Sequence, residues 1–231
     1  MQNPIGGQVD AILAALDARR PMVAGHSRRV SAYSVQLAHV YGLSIDMVET
    51  LRVGGLLHDI GKLMIPANIL SKPGRLTEQE WQTLQSHSER GFDMLAGLGF
   101  DETVTDIVLY HHERLDASGY PDGLSGEAIP WSVRIISVMD TFDALTSPRT
   151  YREALSVEAA RTLLARESVG RYCPWAVNGL LSMPRSVLDS VVNGELGAYR
   201  PDACPSPDVM LGATMPWVGT WNEDPGQVSA W

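Results

Sequence analysis

The sequence predicts an all-α fold followed by a non-periodic C-terminal tail. From Val9 to about Val192 apolar residues recur at three- and four-residue spacing, as in VDAILAAL, VSAYSVQLAHV and VRIISVMDTFDAL, the repeat of a helix with one buried face. Sustained two-residue alternation, the mark of a half-buried strand, is scarce. After Asn193 the chain reads NGELGAYRPDACPSPDVMLGATMPWVGTWNEDPGQVSAW, with repeated Pro and Gly and three of the six tryptophans. These features divide it into a helical domain over residues 1–195, its core at about 20–180, and an extended or partly disordered tail over 196–231.

Taken in order, the elements have recognisable starts and stops. Ser44 is a cap for the helix carrying Val53, Leu56 and Leu57, and Thr77 to Glu80 (TEQE) is a capping box opening a helix through Trp81, Leu84 and Phe92. Pro66, Pro73-Gly74, Gly119 to Pro121 and Pro148 break the pattern into loops. Each loop follows a segment rich in His, Asp or Lys, so polar chemistry gathers at helix ends.

Composition bounds the function. At 231 residues and 45% hydrophobic the chain buries a core of good size. A formal charge of −9 and a pI near 5.1 offer no basic footprint for duplex nucleic acid, although local cations or metal ions can still hold a small anion. Cys173 and Cys204 form no CxxC pair and predict no disulfide, which suits a reduced, cytoplasmic location. No basic-then-apolar leader and no run of eighteen apolar residues occurs, so no membrane association of its own is expected.

Five of the six histidines lie beside a carboxylate, a cation or a turn: His26 in GHSRRV, His58 in LLHDIGK, His87 in QSHSER, and His111 and His112 in HHER. His39, in LAHVYG, is read as an ordinary helix residue. Any one histidine alone is better read as a hydrogen-bonded side chain, but neutral imidazole and carboxylate together are usual ligands for iron, manganese or zinc, and a cluster can hold two ions. Consecutive helical side chains diverge by about 100°, so His58-Asp59 suits a ligand and a bridge better than one small chelate, and the same holds for His111-His112. Alternatively Asp59 caps the GKLMIP turn and the two histidines form an exposed helix end. Asp140 follows the apolar run VRIISVM, where a carboxylate is costly unless paired or metal-bound. Asp143, three residues on and on the same face, either binds metal or orients a ligand or substrate hydroxyl.

Lys62, one turn beyond His58, and Arg149 and Arg152, just after Ser147-Pro148, are candidate partners for phosphate oxygens. With paired metals they suit a phosphoester, whose hydrolysis needs charge stabilisation and an in-line water more than a protein nucleophile. The sequence has no GxxxxGK[ST], GxSxG or HExxH, and the glycine pair of VGGLL is too little for a dinucleotide site.

The runs HSRRV, LLHDIGKLMIPANILSKPGRLTEQE, HSERG, HHERLDASGYPDGLSGEAIP and RIISVMDTFDALTSPRTYREAL closely resemble the HD-GYP family of metal-dependent phosphodiesterases over roughly Gly25 to Val177. The resemblance implies an HD-superfamily helical bundle with two divalent ions, most simply Fe or Mn, since Met22 stands where three-metal members carry a glutamate. It implies that His26, His58, Asp59 and Asp140 hold one metal, and that Asp59 bridges to a second held by His87, His111 and His112. A hydroxide between the ions would open cyclic di-GMP to pGpG, with GMP as a further product. Asp59 and Lys62 would serve catalysis, and Arg149, Arg152, Asp143 and the loop Gly119, Tyr120 and Pro121 would line the substrate site. That loop is also a candidate contact for diguanylate cyclase (GGDEF) domains, and a homodimer is a candidate assembly. Leu115 and Ala117 replace the Trp and Gly of the family's HHERWDGSGYP, and Tyr172-Cys173-Pro174 replaces its FDP. The alternatives are another cyclic dinucleotide or nucleotide phosphoester as substrate, or a non-catalytic signalling module.

Overall fold

The computed structural model describes residues 4–148 and 153–195. Among these residues the only extended pairing is an isolated bridge between Asp116 and Ser125, so the all-α expectation holds. Helix α1 (Pro4–Arg19) leads through Arg20 into α2 (Pro21–Val40), with Pro21 at a position where its missing N–H has no helical partner to lose. Helix α3 (Ile45–Leu57) begins at Ser44, whose hydroxyl accepts from Met47 N at 3.3 Å as the sequence predicts. α3 packs hard against its neighbours: a Cβ on Gly55 would lie 2.7 Å from Ser31 Cα, and one on Gly54 2.4 Å from an Ile107 methyl. The glycine pair of VGGLL therefore serves helix packing.

The chain then tightens into a 3-10 turn (Ile60–Met64) and the short α4 (Ala67–Leu70) before α5 (Glu78–Gln85) and α6 (His87–Leu95). Both bonds of the TEQE capping box are present, Glu80 N to Thr77 Oγ1 at 3.3 Å and Thr77 N to Glu80 Oε2 at 2.7 Å. The single helix expected through Phe92 is instead divided at Ser86. The Ser86 hydroxyl donates to Thr83 O at 2.7 Å and competes with the helical ladder.

Helices α7 (Glu102–Tyr110) and α8 (Trp131–Thr146) follow, and α9 (Val157–Glu167), α10 (Pro174–Ser182) and α11 (Arg185–Val192) pack behind α8 and α2. The main core lies here. Tyr33 and Phe142 meet edge to face at 5.1 Å, both fully buried, and the Phe142 ring contributes about 1.5–3 kcal/mol by leaving water. A smaller cluster of Val9, Val53, Leu57, Ile60, Leu95, Val104 and Val108 joins α1, α3, α6 and α7. α3 and α7 enter both clusters, through Leu51 and Ile107 on one side and Leu57 and Val108 on the other, which fixes their C-terminal ends.

Tyr172 and Cys173 are buried, Pro174 opens α10, and Trp175 stacks on Tyr41 at 3.4 Å. The YCP element thus seats the C-terminal helices despite its departure from FDP. Cys173 is a free thiol. Cys204, the whole tail and the proposed substrate cations Arg149 and Arg152 lie outside the described residues. Among the described residues no helix is long and apolar enough to cross a membrane.

Candidate metal centre

The seven residues singled out as ligands converge from five helices. His26 projects from α2, His58 ends α3, Asp59 precedes the 3-10 turn, His87 opens α6, His111 ends α7 with His112 next, and Asp140 lies on α8. One ligand atom from each of Asp59, His87, His111 and His112 falls within 4.8 Å of the others, and His26, His58 and Asp140 form a second such group. Asp59 makes no side-chain capping bond to the 3-10 turn, so the helix-cap alternative does not account for it. His39 belongs to neither group.

Three imidazoles are fixed in one tautomer by partners that can only accept. Nδ1 of His58 donates to Gly55 O at 2.8 Å, that of His87 to Leu84 O at 2.7 Å, and that of His111 to Val108 O at 3.0 Å. In the neutral rings each Nε2 is therefore a bare lone pair. Yet His87 Nε2 faces His111 Nε2 at 3.3 Å, and the two face Asp59 Oδ1 at 3.3 and 3.7 Å, an oxygen that accepts no hydrogen bond. Buried lone pairs converging on one point repel unless they share a cation, so this donor set fits a divalent metal. On the other side His26 Nε2 lies 3.2 Å from His58 Nε2, 3.1 Å from Asp140 Oδ1 and 3.5 Å from Asp59 Oδ2. Asp59 turns one oxygen to each group, so its carboxylate could serve both.

The charge states agree with this. Burial pushes His58 down to about 3 and holds His87 and His112 below the ordinary histidine range, His112 far below it. Burial works in the same direction on His26, but hydrogen bonds to Asp140 and Asp143 outweigh it and raise His26 to about 9. Without a metal, His26 thus carries a proton on each nitrogen, and the one on Nε2 partly neutralises the converging oxygens. Burial would raise Asp59 and Asp140, but Lys62 keeps the first ionised, and His26 the second.

The surrounding side chains hold these groups in place. Lys62 Nζ donates to Asp59 Oδ2 at 2.6 Å. Asp143, expected to touch substrate or stand behind a ligand, is fully buried and stands behind His26: Oδ2 accepts His26 Nδ1 at 2.7 Å, and Arg29 grips both oxygens at 2.7 and 2.9 Å. The substrate-contact role assigned to it gives way to that of orienting a ligand. His111 and His112 also depart from the helical expectation, since their rings approach to 4.1 Å and join one group. His112 lies past the end of α7, where the helical divergence no longer applies.

Tyr120 of the Gly119-Tyr120-Pro121 loop stacks on His112 at 4.7 Å, with Trp81 edge-on at 6.3 Å. Sequence reasoning missed what anchors this loop. The buried Glu113 accepts the backbone N–H groups of Asp122, Gly123 and Leu124 at 2.7, 2.9 and 3.0 Å. Arg114 donates to His111 O, Glu113 O and Ser137 Oγ and lies over the Tyr172 ring. Arg29 was missed too, although its spacing of three from His26 puts it on the same helix face.

The HD domain family matches residues 11–174. The chain is 43% identical over 155 residues to the cyclic di-GMP phosphodiesterase response regulator RpfG of Xanthomonas campestris pv. campestris, covering 66% of this chain and 41% of that one. It is 38% identical over 169 residues to the 3'3'-cGAMP-specific phosphodiesterase 2 of Vibrio cholerae serotype O1, covering 72% and 32%. The chain therefore spans less than half the length of these relatives. Among solved structures, an HDG"Y"P protein from Bdellovibrio bacteriovorus superposes with a TM-score of 0.59 at 24% identity, over 72% of this chain and 52% of the other, a likeness of fold.

Proposed function

The chain belongs to the HD domain family, in its HD-GYP branch, and from that premise we propose that it is a metal-dependent phosphodiesterase opening cyclic di-GMP to pGpG and then GMP. The observation that carries this is Asp59, whose two oxygens face two separate sets of imidazole and carboxylate donors. His26, His58 and Asp140 would hold one divalent ion, His87, His111 and His112 a second, with Asp59 between them. The mixed imidazole and carboxylate set suits Fe or Mn. When bound, such ions polarise phosphoryl oxygens and make a water acidic enough to act as nucleophile near neutral pH.

The chain's own groups do the rest. Lys62 is partly exposed with its ammonium on Asp59, poised to exchange that contact for a non-bridging phosphate oxygen. Arg149 and Arg152 would hold the remaining phosphate charge. Tyr120, seated on His112, forms a wall of the pocket, and its loop is a candidate contact for GGDEF domains. A reduced cytoplasmic setting and a homodimeric assembly complete the proposal.

A second substrate has specific support, because a relative of similar identity is named as specific for 3'3'-cGAMP. Anaerobically purified protein, loaded with ferrous or manganous ion, should be given each cyclic dinucleotide beside an Asp59→Ala variant. Metal-dependent pGpG or GMP, lost in the variant, is the expected result. Faster turnover of 3'3'-cGAMP would reverse the substrate order, and an Asp59→Ala protein with full metal and activity would overturn the mechanism.

A further inference from the structure

We propose that Arg29 is a positioning residue for the His26 side of the metal centre, acting through Asp143. This rests on the reading that His26, His58 and Asp140 hold an ion. Arg29 Nε donates to Asp143 Oδ1 at 2.7 Å and Nη2 to Oδ2 at 2.9 Å, a two-point grip that sets the plane of the carboxylate. Nη2 also donates to Ser147 Oγ at 2.9 Å, and the Ser147 hydroxyl in turn reaches Asp143 Oδ2 at 3.2 Å. Ser147 ends α8, so the guanidinium is tied both to the carboxylate and to the end of the helix that carries it.

The consequence reaches His26. Asp143 Oδ2 accepts its Nδ1 proton at 2.7 Å, which fixes the ring's orientation and leaves Nε2 aimed at Asp140 and Asp59. The spacing repeats on both helices. His26 and Arg29 are three apart on α2, Asp140 and Asp143 three apart on α8, so the turn supplying ligands on each helix adjoins the turn supplying the clamp. Without Arg29 the fully buried Asp143 would lose the two-point grip that sets its carboxylate plane, and among the described residues His26 Nδ1 and Ser147 Oγ, both on Oδ2, would be left to hold it. The Arg29 side chain is itself 26% exposed, so its loss opens no sealed cavity, which separates positioning from core packing.

Metal-free protein titrated with Mn2+ alone, followed by calorimetry and by the loss of the free-ion paramagnetic resonance signal, tests this. Wild type should bind two ions. Arg29→Ala should weaken one site by about 10- to 100-fold, the usual cost of losing a group that orients a ligand, and leave the other unchanged. In a His87→Ala background, where only the His26 side is intact, the same substitution should weaken the single remaining site. Arg29→Lys restores the charge but not the fork, and should recover only part of the loss. Should Arg29→Ala not fold, Arg29→Gln takes its place and is read the same way. Unchanged affinity at both sites, or equal loss at both, would overturn the proposal. A wild type that binds fewer than two ions would overturn the two-site reading and this inference with it.

Discussion

Gly61→Ala tests whether the metal ligands are held at their separation by backbone contact. Gly61 lies two residues after Asp59 in the 3-10 turn, and α6 crosses directly over it. A Cβ there would come 1.8 Å from His87 O, 2.6 Å from Gly91 N and 2.8 Å from the His87 carbonyl carbon. An ordinary contact needs about 3.5 Å, so the turn and α6 must part by about 1.7 Å. The atoms met are main chain, and no rotamer change can relieve them. Metal–ligand distances tolerate only about 0.2 Å, so Asp59 and His87 could no longer serve one ion. Overpacking of this kind lowers stability by about 1–3 kcal/mol, and an ångström of misplacement lowers turnover by about 100-fold. Elemental analysis after manganese loading should show about one ion fewer per chain, with helix content by circular dichroism retained. A Gly61→Ala protein with full metal and wild-type activity would refute the reasoning.

Three further outcomes follow from the same geometry. Ala117 has φ of +62°, a conformation costing an L-residue about 1–2 kcal/mol, and glycine's extra chain entropy takes back about 0.5–1 kcal/mol. Ala117→Gly should therefore raise the melting temperature by about 2–4 °C, and a lower value would count against the strain. Glu113→Gln keeps one carbonyl oxygen for three backbone donors, leaving at least one N–H unpaired at a cost of about 1–3 kcal/mol; hydrogen exchange at residues 122–124 should accelerate, and unchanged protection would show that Glu113 does not hold the loop. In chelator, stability should peak near pH 6.5. His26 keeps its proton in the folded state up to about 9 but releases it near 6.5 when unfolded, so stability falls as pH rises between those values. His58, His87 and His112 stay neutral in the fold while the unfolded chain takes up protons below 6.5, so stability falls again toward acid. Urea midpoints that climb steadily from pH 6.5 to 9 would contradict the state assigned to His26.

What the sequence disclosed and what it hid differ in range. The helical period, the Ser44 cap and the Thr77–Glu80 box depend on residues a few positions apart, and they are visible in any window of that size. The candidate ligand set was visible because its histidines lie near a carboxylate, a cation or another histidine, and because Asp140 ends an apolar run. Arg29 with Asp143, by contrast, spans more than a hundred residues, and an arginine in GHSRRV looks locally like any solvated charge. Glu113 looked like part of a charged helix end, and only its burial against three backbone amides shows otherwise. The break at Ser86 was hidden for the opposite reason: the competing bond is local, but TEQEWQTLQSHSERGF keeps a helical period straight through it.

The helix ends account for the geometry of both adjacent pairs, His111-His112 and His58-Asp59. Inside a continuous helix, neighbours point about 100° apart, which would send His111 and His112 to different sides of α7. Helical geometry stops at His111, the cap of α7, and the chain bends so that the two rings approach to 4.1 Å and supply one group. The same break serves a different end at the other doublet. His58 keeps helical angles of −50° and −34°, while Asp59 departs to −104° and 9°, which swings the carboxylate between the two donor sets. A termination point thus lets adjacent residues converge in one case and divide their work in the other, and the packed helices on either side hold both arrangements rigid. The mid-helix candidates His26 and Asp140 come singly and meet because α2 packs against α8, and His26 has Asp143, held by Arg29, at its other ring nitrogen.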